Sequence, residues 1–290
     1  MKRRIVIDST CDLPAGLVEE YSIEVLPVYI NIGDKGYLDG VDISRQEFYQ
    51  NLPSYPHHPT TAAPSPDTFR ALYQQLAREG AEEILSLHIA SSLSATVEMA
   101  RSGAEDFAEA KVTVFDTGQL STGAGFMAES AATAFAQGKG IDQVVEELKE
   151  LGQRAFVVAG LETMEFLRRS GRVSSLVAGL GGFLQIKPLL TMHGGVADSQ
   201  RVRTYTKALD RVAELIGKTE PIERLALVHT NAPEQAQALR ERILPWLPER
   251  EIPVLNITPV IGVHIGPGAA GAAWVSRDVP SDEVRKLFAG

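Results

Sequence analysis

The side chains best suited to chemistry fall in four short stretches. Ser91, Ser92, Ser94 and Thr96 crowd together between a strand-like run and a helical pattern. Thr60-Thr61-Ala62-Ala63-Pro64-Ser65 precedes another helical pattern, and Asp116-Thr117-Gly118-Gln119-Leu120-Ser121-Thr122-Gly123 and His264-Ile265-Gly266-Pro267-Gly268 each follow a strand-like run. A serine-type hydrolase would use Ser94 as nucleophile with His264 as its base, but Ser92-Leu93-Ser94-Ala95-Thr96 lacks the GxSxG elbow. Ser and Thr at a helix start ordinarily cap free backbone N–H groups. The hydroxyls around Ser94 exceed what one cap needs, and a helix N-terminus so furnished also seats an anion such as a carboxylate or phosphate. Each stretch alone is weak, because turns use the same residue types. Together they point to one polar mouth for a small anion, since ligands of open α/β sheets bind beyond the carboxyl ends of the strands. An acyl tail would need an apolar slot. Val173–Phe183, with Leu176, Val177, Leu180 and Phe183, could line one, although packing in a core is the commoner fate of such residues.

Other motifs lack their context. Gly266-Pro267-Gly268-Ala269-Ala270-Gly271 spells GxGxxG, which binds a pyrophosphate only between a strand and a helix, with an acid some way beyond. Only 19 residues follow Gly271, and they begin like a strand, so a close approach of backbone is the better expectation. There is no GxxxxGK[ST] loop and no HExxH. His57 and His58 are adjacent in a Pro-rich loop, and three well-placed zinc ligands cannot be assembled. No metal or nucleotide cofactor is expected.

The elements that must position these residues alternate. Strands are expected at Arg4–Ile7, Ile23–Ile32, Glu83–Ile89 and Lys111–Phe115. Helices are expected from the Asp12-Leu13-Pro14 cap, from the Ser44-Arg45-Gln46-Glu47 capping box to Leu52, from Ser65-Pro66 to Arg78, and over Leu93–Phe107, Leu120–Ala136 and Ile141–Leu151. Strands separated by helices imply a mostly parallel sheet flanked by helices. In the second half, Leu184–Met192 and Val196–Arg203 flank His193-Gly194-Gly195, which is hairpin turn material. Strands at Arg154–Ala159, Leu225–His229, Val254–Thr258 and Ala272–Ser276, with helices at Lys207–Gly217, Pro233–Ile243 and Asp282–Phe288, complete an α/β half with a mixed or antiparallel sheet. The length, 290 residues, suits two domains, placed at 1–154 and 155–290.

Apolar residues make up 44% and charged residues 22%, a globular composition. The net charge of −9 argues against coating nucleic acid or an anionic membrane. A single cysteine, Cys11, forms no internal disulfide and no Cys-based zinc site, and is expected to be buried and inert. The apolar run Ile5-Val6-Ile7 is too short for a secretory signal. Ile257–Val275 is uncharged but interrupted by Pro259, Pro267 and several glycines, so it reads as strand, loop and strand rather than a membrane span. A cytoplasmic location without stable membrane insertion is expected.

Taken in order, these stretches resemble the DegV family of bacterial fatty-acid-binding proteins. The similarity runs through Ile5–Pro14, Gly36–Ser44 with Glu47-Phe48-Tyr49, Thr61-Ala62-Ala63-Pro64-Ser65, Leu93-Ser94-Ala95-Thr96, Leu167–Ser174, Gln185–Leu190, Arg201-Val202-Arg203 and His264–Ala269. The resemblance implies a two-domain DegV-like α/β fold with a long-chain fatty acid between the domains. It implies that Thr61 and Ser94 hydrogen-bond the carboxylate, that His264 helps at the same mouth, and that Ala95 and Gly266 bring backbone close to the ligand. Arg172 and Arg203 would meet the kinase or steady the head group. The protein would be the non-catalytic carrier of a fatty-acid kinase: a separate, dihydroxyacetone-kinase-like enzyme would phosphorylate the bound carboxylate for phospholipid synthesis. Two motifs depart from the family pattern. Ala62 and Ala63 replace a Ser and a Gln, and Ala95 replaces a Gly. A serine-type hydrolase and a binding module for another small carboxylate or phosphate metabolite remain as alternatives.

Overall fold

The computed structural model describes residues 2–171, 187–244, 247 and 251–289. The first half runs β1 (Arg3–Asp8), α1 (Ala15–Glu20), β2 (Glu24–Leu26), β3 (Tyr29–Ile32), β4 (Lys35–Leu38), α2 (Arg45–Asn51), β5 (Thr60–Ala62), α3 (Pro66–Arg78), β6 (Glu83–His88), α4 (Thr96–Ala104), β7 (Lys111–Asp116), α5 (Ser121–Ala136) and α6 (Ile141–Gly152). Four of these strands form a parallel sheet in the order β2-β1-β6-β7. The run expected as one strand over Ile23–Ile32 is broken. Pro27 has no N–H to give a ladder, and the chain leaves the parallel sheet there. β3 instead builds a small antiparallel sheet in the order β4-β3-β5.

The second half runs β8 (Ala155–Gly160), α7 (Glu165–Arg169), β9 (Lys187–His193), β10 (Val196–Val202), α8 (Tyr205–Lys218), β11 (Ile222–His229), α9 (Pro233–Ile243), β12 (Val254–Asn256), α10 (Pro259–Ile265), β13 (Ala270–Ser276) and α11 (Asp282–Arg285). Its six strands form a mixed sheet in the order β10-β9-β8-β13-β11-β12, with β11 and β12 parallel and the other pairs antiparallel. The α/β expectation therefore holds in both halves, and β9 and β10 make the expected hairpin through Gly194 and Gly195.

Two local expectations need correction. Asp12 does not cap a helix: it stands in the left-handed region, and α1 begins after Pro14 without a side-chain cap. Ile257–Val275 is not strand, loop and strand, because Pro259–Ile265 is helical. Thr258 Oγ1 accepts from Val260 N at 3.2 Å, and Pro259 takes the first helical position, where its missing N–H costs nothing. The β-branched residues of this helix suggest a strand, but its cap and its packing against α2 and α7 override that preference.

Helix α5 explains how the two larger sheets meet. It is apolar nearly all round, as a helix covered on both sides must be. Its small residues allow close approach: a Cβ on Gly123 would lie 2.6 Å from Val157 Cγ2, and one on Gly125 2.6 Å from the Cys11 carbonyl. One buried cluster accordingly joins Ile5 and Leu85 of the parallel sheet, Met127 of α5, and Val157 and Ala273 of the mixed sheet. Alternation along β8 sends Val157 to this side, while Phe156 and Val158 face α8 and the buried Trp274. Among the described residues no helix is long and apolar enough to cross a membrane.

Candidate functional site

Thr61 lies at the centre of β5, opposite Ile30. Helix α10 brings His264 to it from a distant part of the chain, and Thr61 Oγ1 stands 3.0 Å from His264 Nε2. Ser94 precedes α4 rather than lying inside it, since that helix starts only at Thr96, with Ala95 in the cap position and no side-chain cap from it. Ser94 Oγ is 2.8 Å from Thr96 Oγ1 and accepts from Thr96 N at 3.3 Å. Thr61, Ser94, Ala95 and His264 all face one cavity of about 300 Å³. That is within the range of small-molecule pockets.

The rest of the cavity wall is mostly apolar. Ile89, Leu93 and Leu120 come from the carboxyl ends of β6 and β7, and Val157, Leu190 and Val228 from the face of the mixed sheet. No Lys or Arg is among the described residues that line it. The described lining therefore offers hydroxyls and an imidazole as its polar groups, and the greater part of it is hydrocarbon. Among the described residues no group of three His, Cys, Asp or Glu side chains could hold a metal ion.

Several candidates lie elsewhere. Gly266 does not line the cavity: it ends α10 with φ +75°, and a Cβ there would come within 2.3 Å of the Phe166 ring. Arg203 is exposed just beyond β10 and does not line the cavity either. Arg172 and the apolar stretch Val173–Phe183 lie outside the described residues. The Asp116 stretch mostly serves docking. Asp116 Oδ1 accepts from Gly118 N at 2.9 Å, and Gly195 N donates to the Gly118 carbonyl at 3.2 Å. Ser92 Oγ donates to the Gly195 carbonyl at 2.9 Å, so the β9–β10 turn is held against the parallel sheet. Only Leu120 and Ser121 of that stretch reach the cavity. The GxGxxG string ends inside β13, which leaves no helix for a pyrophosphate.

Thr96, from the hydroxyl cluster at the start of α4, also lines the cavity, and so does Thr10, which is not among the sequence candidates. The signal for Thr10 was available: it follows β1 at the carboxyl end of a parallel strand, where ligands bind. Its hydroxyl donates to Asp8 Oδ1, and Thr10 N donates to the same oxygen at 3.0 Å. Asp8 Oδ2 accepts from His88 Nδ1 and from Ile89 N, both at 3.1 Å. His88 Nε2 is 2.7 Å from Ser86 Oγ, which is 2.9 Å from Tyr73 OH. Burial works to raise the Asp8 carboxyl, but the hydrogen bond and charge of His88, with those of Thr10 and Ile89, outweigh it and hold the pKa low. Ser86, His88 and Asp8 have the order of a hydrolytic triad, yet all three are fully buried and none of them lines the cavity that Thr61 and His264 face. Their effect is to fix Thr10 and Ile89 at its wall.

A second buried carboxylate ties distant segments together. Asp12 Oδ1 pairs with Arg45 Nη2 at 2.8 Å and accepts from Thr258 N at 3.0 Å, and its Oδ2 accepts from Ser121 Oγ at 2.6 Å. Thr258 Oγ1 donates to Asp39 Oδ2 at 2.6 Å, and Tyr49 OH donates to the Ile257 carbonyl at 3.1 Å. These contacts set where α10, and hence His264, stands relative to β5. Burial pushes the Asp12 carboxyl up to about 6. Burial, with the charges of Asp8 and Asp12, also pushes the pKa of the buried Cys11 thiol well up, which disfavours the reactive thiolate.

The comparisons with known proteins agree on one family. The DegV family model matches residues 2–277. A DegV domain-containing protein of Streptomyces coelicolor is 34% identical over 279 residues, covering 94% of this chain and 98% of the relative. One from Deinococcus radiodurans is 35% identical over 277 residues with the same coverage. Among solved structures, a fatty-acid-binding DegV family protein from Thermus thermophilus superposes with a TM-score of 0.86 at 34% identity, covering 95% of this chain and all of its own. DegV of Bacillus subtilis, described as a fatty acid binding protein, gives 0.87 at 28% identity over 96% of this chain and all of its own. Fold, sequence and extent of the match lead to the same conclusion: this chain belongs to the DegV family.

Proposed function

We propose that this chain binds a long-chain fatty acid, with the carboxylate at Thr61, Ser94 and His264 and the tail over the mixed sheet. The observation that carries the reading is one largely apolar cavity lined by Thr61 of β5, Ser94 of the loop before α4 and His264 of α10, with Thr61 Oγ1 3.0 Å from His264 Nε2. The fatty-acid-binding relatives from T. thermophilus and B. subtilis support it. Each buried methylene favours binding by about 0.8 kcal/mol, so the tail supplies most of the affinity and the head fixes orientation. A short polar metabolite would leave this wall without contacts. In a hydrolase the nucleophile should face its base, whereas Ser94 Oγ meets Thr96 and His264 Nε2 meets Thr61. The protein is then a non-catalytic cytoplasmic carrier of two domains, 1–154 and 155–290, with the ligand between them. It presents the carboxylate to a dihydroxyacetone-kinase-like fatty-acid kinase, whose ATP supplies the phosphoryl group and leaves as ADP. The exposed Arg203, with Arg172, is the proposed contact for that kinase.

Native mass spectrometry of freshly purified protein, followed by denaturing lipid extraction, tests the binding reading. The expected result is one long-chain fatty acid per chain. A short polar metabolite, or a chain that stays empty when offered palmitate, overturns it. Adding kinase and ATP to the loaded protein should yield acyl phosphate, and a failure there removes the carrier role while leaving binding intact. A serine-directed phosphonate probe should leave Ser94 unlabelled.

A further inference from the structure

Helix α10 carries His264, and at seven residues it has little stability of its own. Contacts at its two ends therefore decide where it stands. Its first end is held through Thr258, which bonds Asp12 and Asp39. At the other end, the last carbonyls of a helix have no partner within it. Here the Gly262 carbonyl accepts from Gly266 N at 2.8 Å. The Val263 carbonyl accepts from the ring of His58, a side chain well suited to this place. His58 Nε2 is buried with no partner among the described residues, so Nδ1 is the donor. Burial, with the charge of Arg169, pushes the imidazole below the ordinary histidine value, and the neutral ring keeps its one proton on Nδ1. The half-buried ring packs against Phe166 of α7, with centroids 5.6 Å apart. Phe166 in turn covers Gly266, the residue that ends α10.

Only the buried Pro59 separates His58 from β5. Proline fixes its own φ, and Thr61 is locked opposite Ile30, so this stretch has little slack. It meets α10 at two successive residues. His58 takes the Val263 carbonyl, and Thr61 Oγ1 stands 3.0 Å from His264 Nε2. We propose that His58 is a positioning residue for the head-group site, holding the last turn of α10 so that the His264 imidazole meets Thr61. The inference rests on the fatty-acid reading and adds to it a residue outside the cavity wall, since His58 does not line the cavity.

The test is calorimetry with palmitate and hexadecanol on delipidated wild-type protein, His58→Phe and His58→Asn. Phe keeps a ring against Phe166 and loses the donor, whereas the Asn amide can donate as Nδ1 does. The bond holds the pair in place by no more than its own worth. His58→Phe should therefore weaken palmitate about two- to twelvefold, the value of one neutral hydrogen bond. Hexadecanol, which reports the tail, should be affected little, and His58→Asn should restore most of the palmitate loss. In a His264→Ala background there is no imidazole to hold, so His58→Phe should leave palmitate affinity nearly unchanged. His58→Ala serves in place of His58→Phe if the latter impairs folding. An unchanged ratio of palmitate to hexadecanol affinity, no recovery with Asn, or the same loss with and without His264 would each overturn the positioning role. Wild-type protein that binds neither ligand overturns the fatty-acid reading instead, so the two failures are distinct.

Discussion

Replacing Asp12 by Asn tests whether a buried carboxylate at the junction of four segments governs stability. Asp12 is completely buried and touches Arg45, Ser121 and Thr258. Burial pushes its carboxyl up from 3.8 to about 6, against the opposing pull of Arg45, Ser121 and Thr258. The folded state therefore holds this proton more tightly than the unfolded chain does. Its stabilising contribution is complete below the unfolded pKa and is lost as pH rises through the folded one. A shift of this size corresponds to about 3 kcal/mol, of which roughly 1–2 kcal/mol is lost between about pH 5 and about pH 7. Asn keeps the shape and an acceptor for Thr258 N but does not titrate. Urea unfolding of wild type and Asp12→Asn across that window should show the variant gaining on the wild type by that amount as pH rises. Comparing the two proteins removes most of the background from Asp39, which burial also raises, and from Asp8, which is lowered and acts in the opposite sense. A difference that stays level across the window would refute the argument that Asp12 is charged at a cost in the folded protein.

Two further outcomes follow from the geometry. Gly271→Ala places a Cβ 2.0 Å from the Val158 carbonyl oxygen and 2.6 Å from Ala159 Cα, in the middle of a paired strand. Backbone cannot yield there without breaking the β8–β13 ladder, so a loss of about 4 kcal/mol or more in denaturant unfolding is expected, and a variant of wild-type stability would contradict the close approach. Thr61→Val keeps the shape of the side chain but removes the hydroxyl beside His264. Calorimetry should show palmitate binding weakened roughly 10–150-fold, the value of one hydrogen bond to a charged group, with hexadecanol affected much less. Equal losses for acid and alcohol, or none for the acid, would remove Thr61 from the carboxylate.

Much of this protein was legible in its sequence because the signals were local. Ser44 accepts from Glu47 N at 3.1 Å and starts α2, and Ser65-Pro66 starts α3, each at the residue the cap chemistry indicated. The parallel sheet followed from strands alternating with helices, and the β9–β10 hairpin from its paired glycines. Thr61, Ser94 and His264 were singled out as polar residues beside turns and helix starts, and the order of motifs tied them to one family. What the sequence could not supply was which of them meet. Thr61 and His264 are 203 positions apart, and their 3.0 Å approach depends on α10, whose β-branched residues read as a strand. Gly266 belongs to the same string of residues as His264, yet one peptide turn past the helix end directs it under Phe166 and away from the cavity. Asp8, His88 and Ser86 lie on two strands and pair only because β1 and β6 are neighbours in register. Composition and local periodicity decide which elements form, since caps, turns and alternating faces act over a few residues. The cavity and the partners of its polar groups are set by long-range packing, where burial and register place residues that no short window of sequence connects.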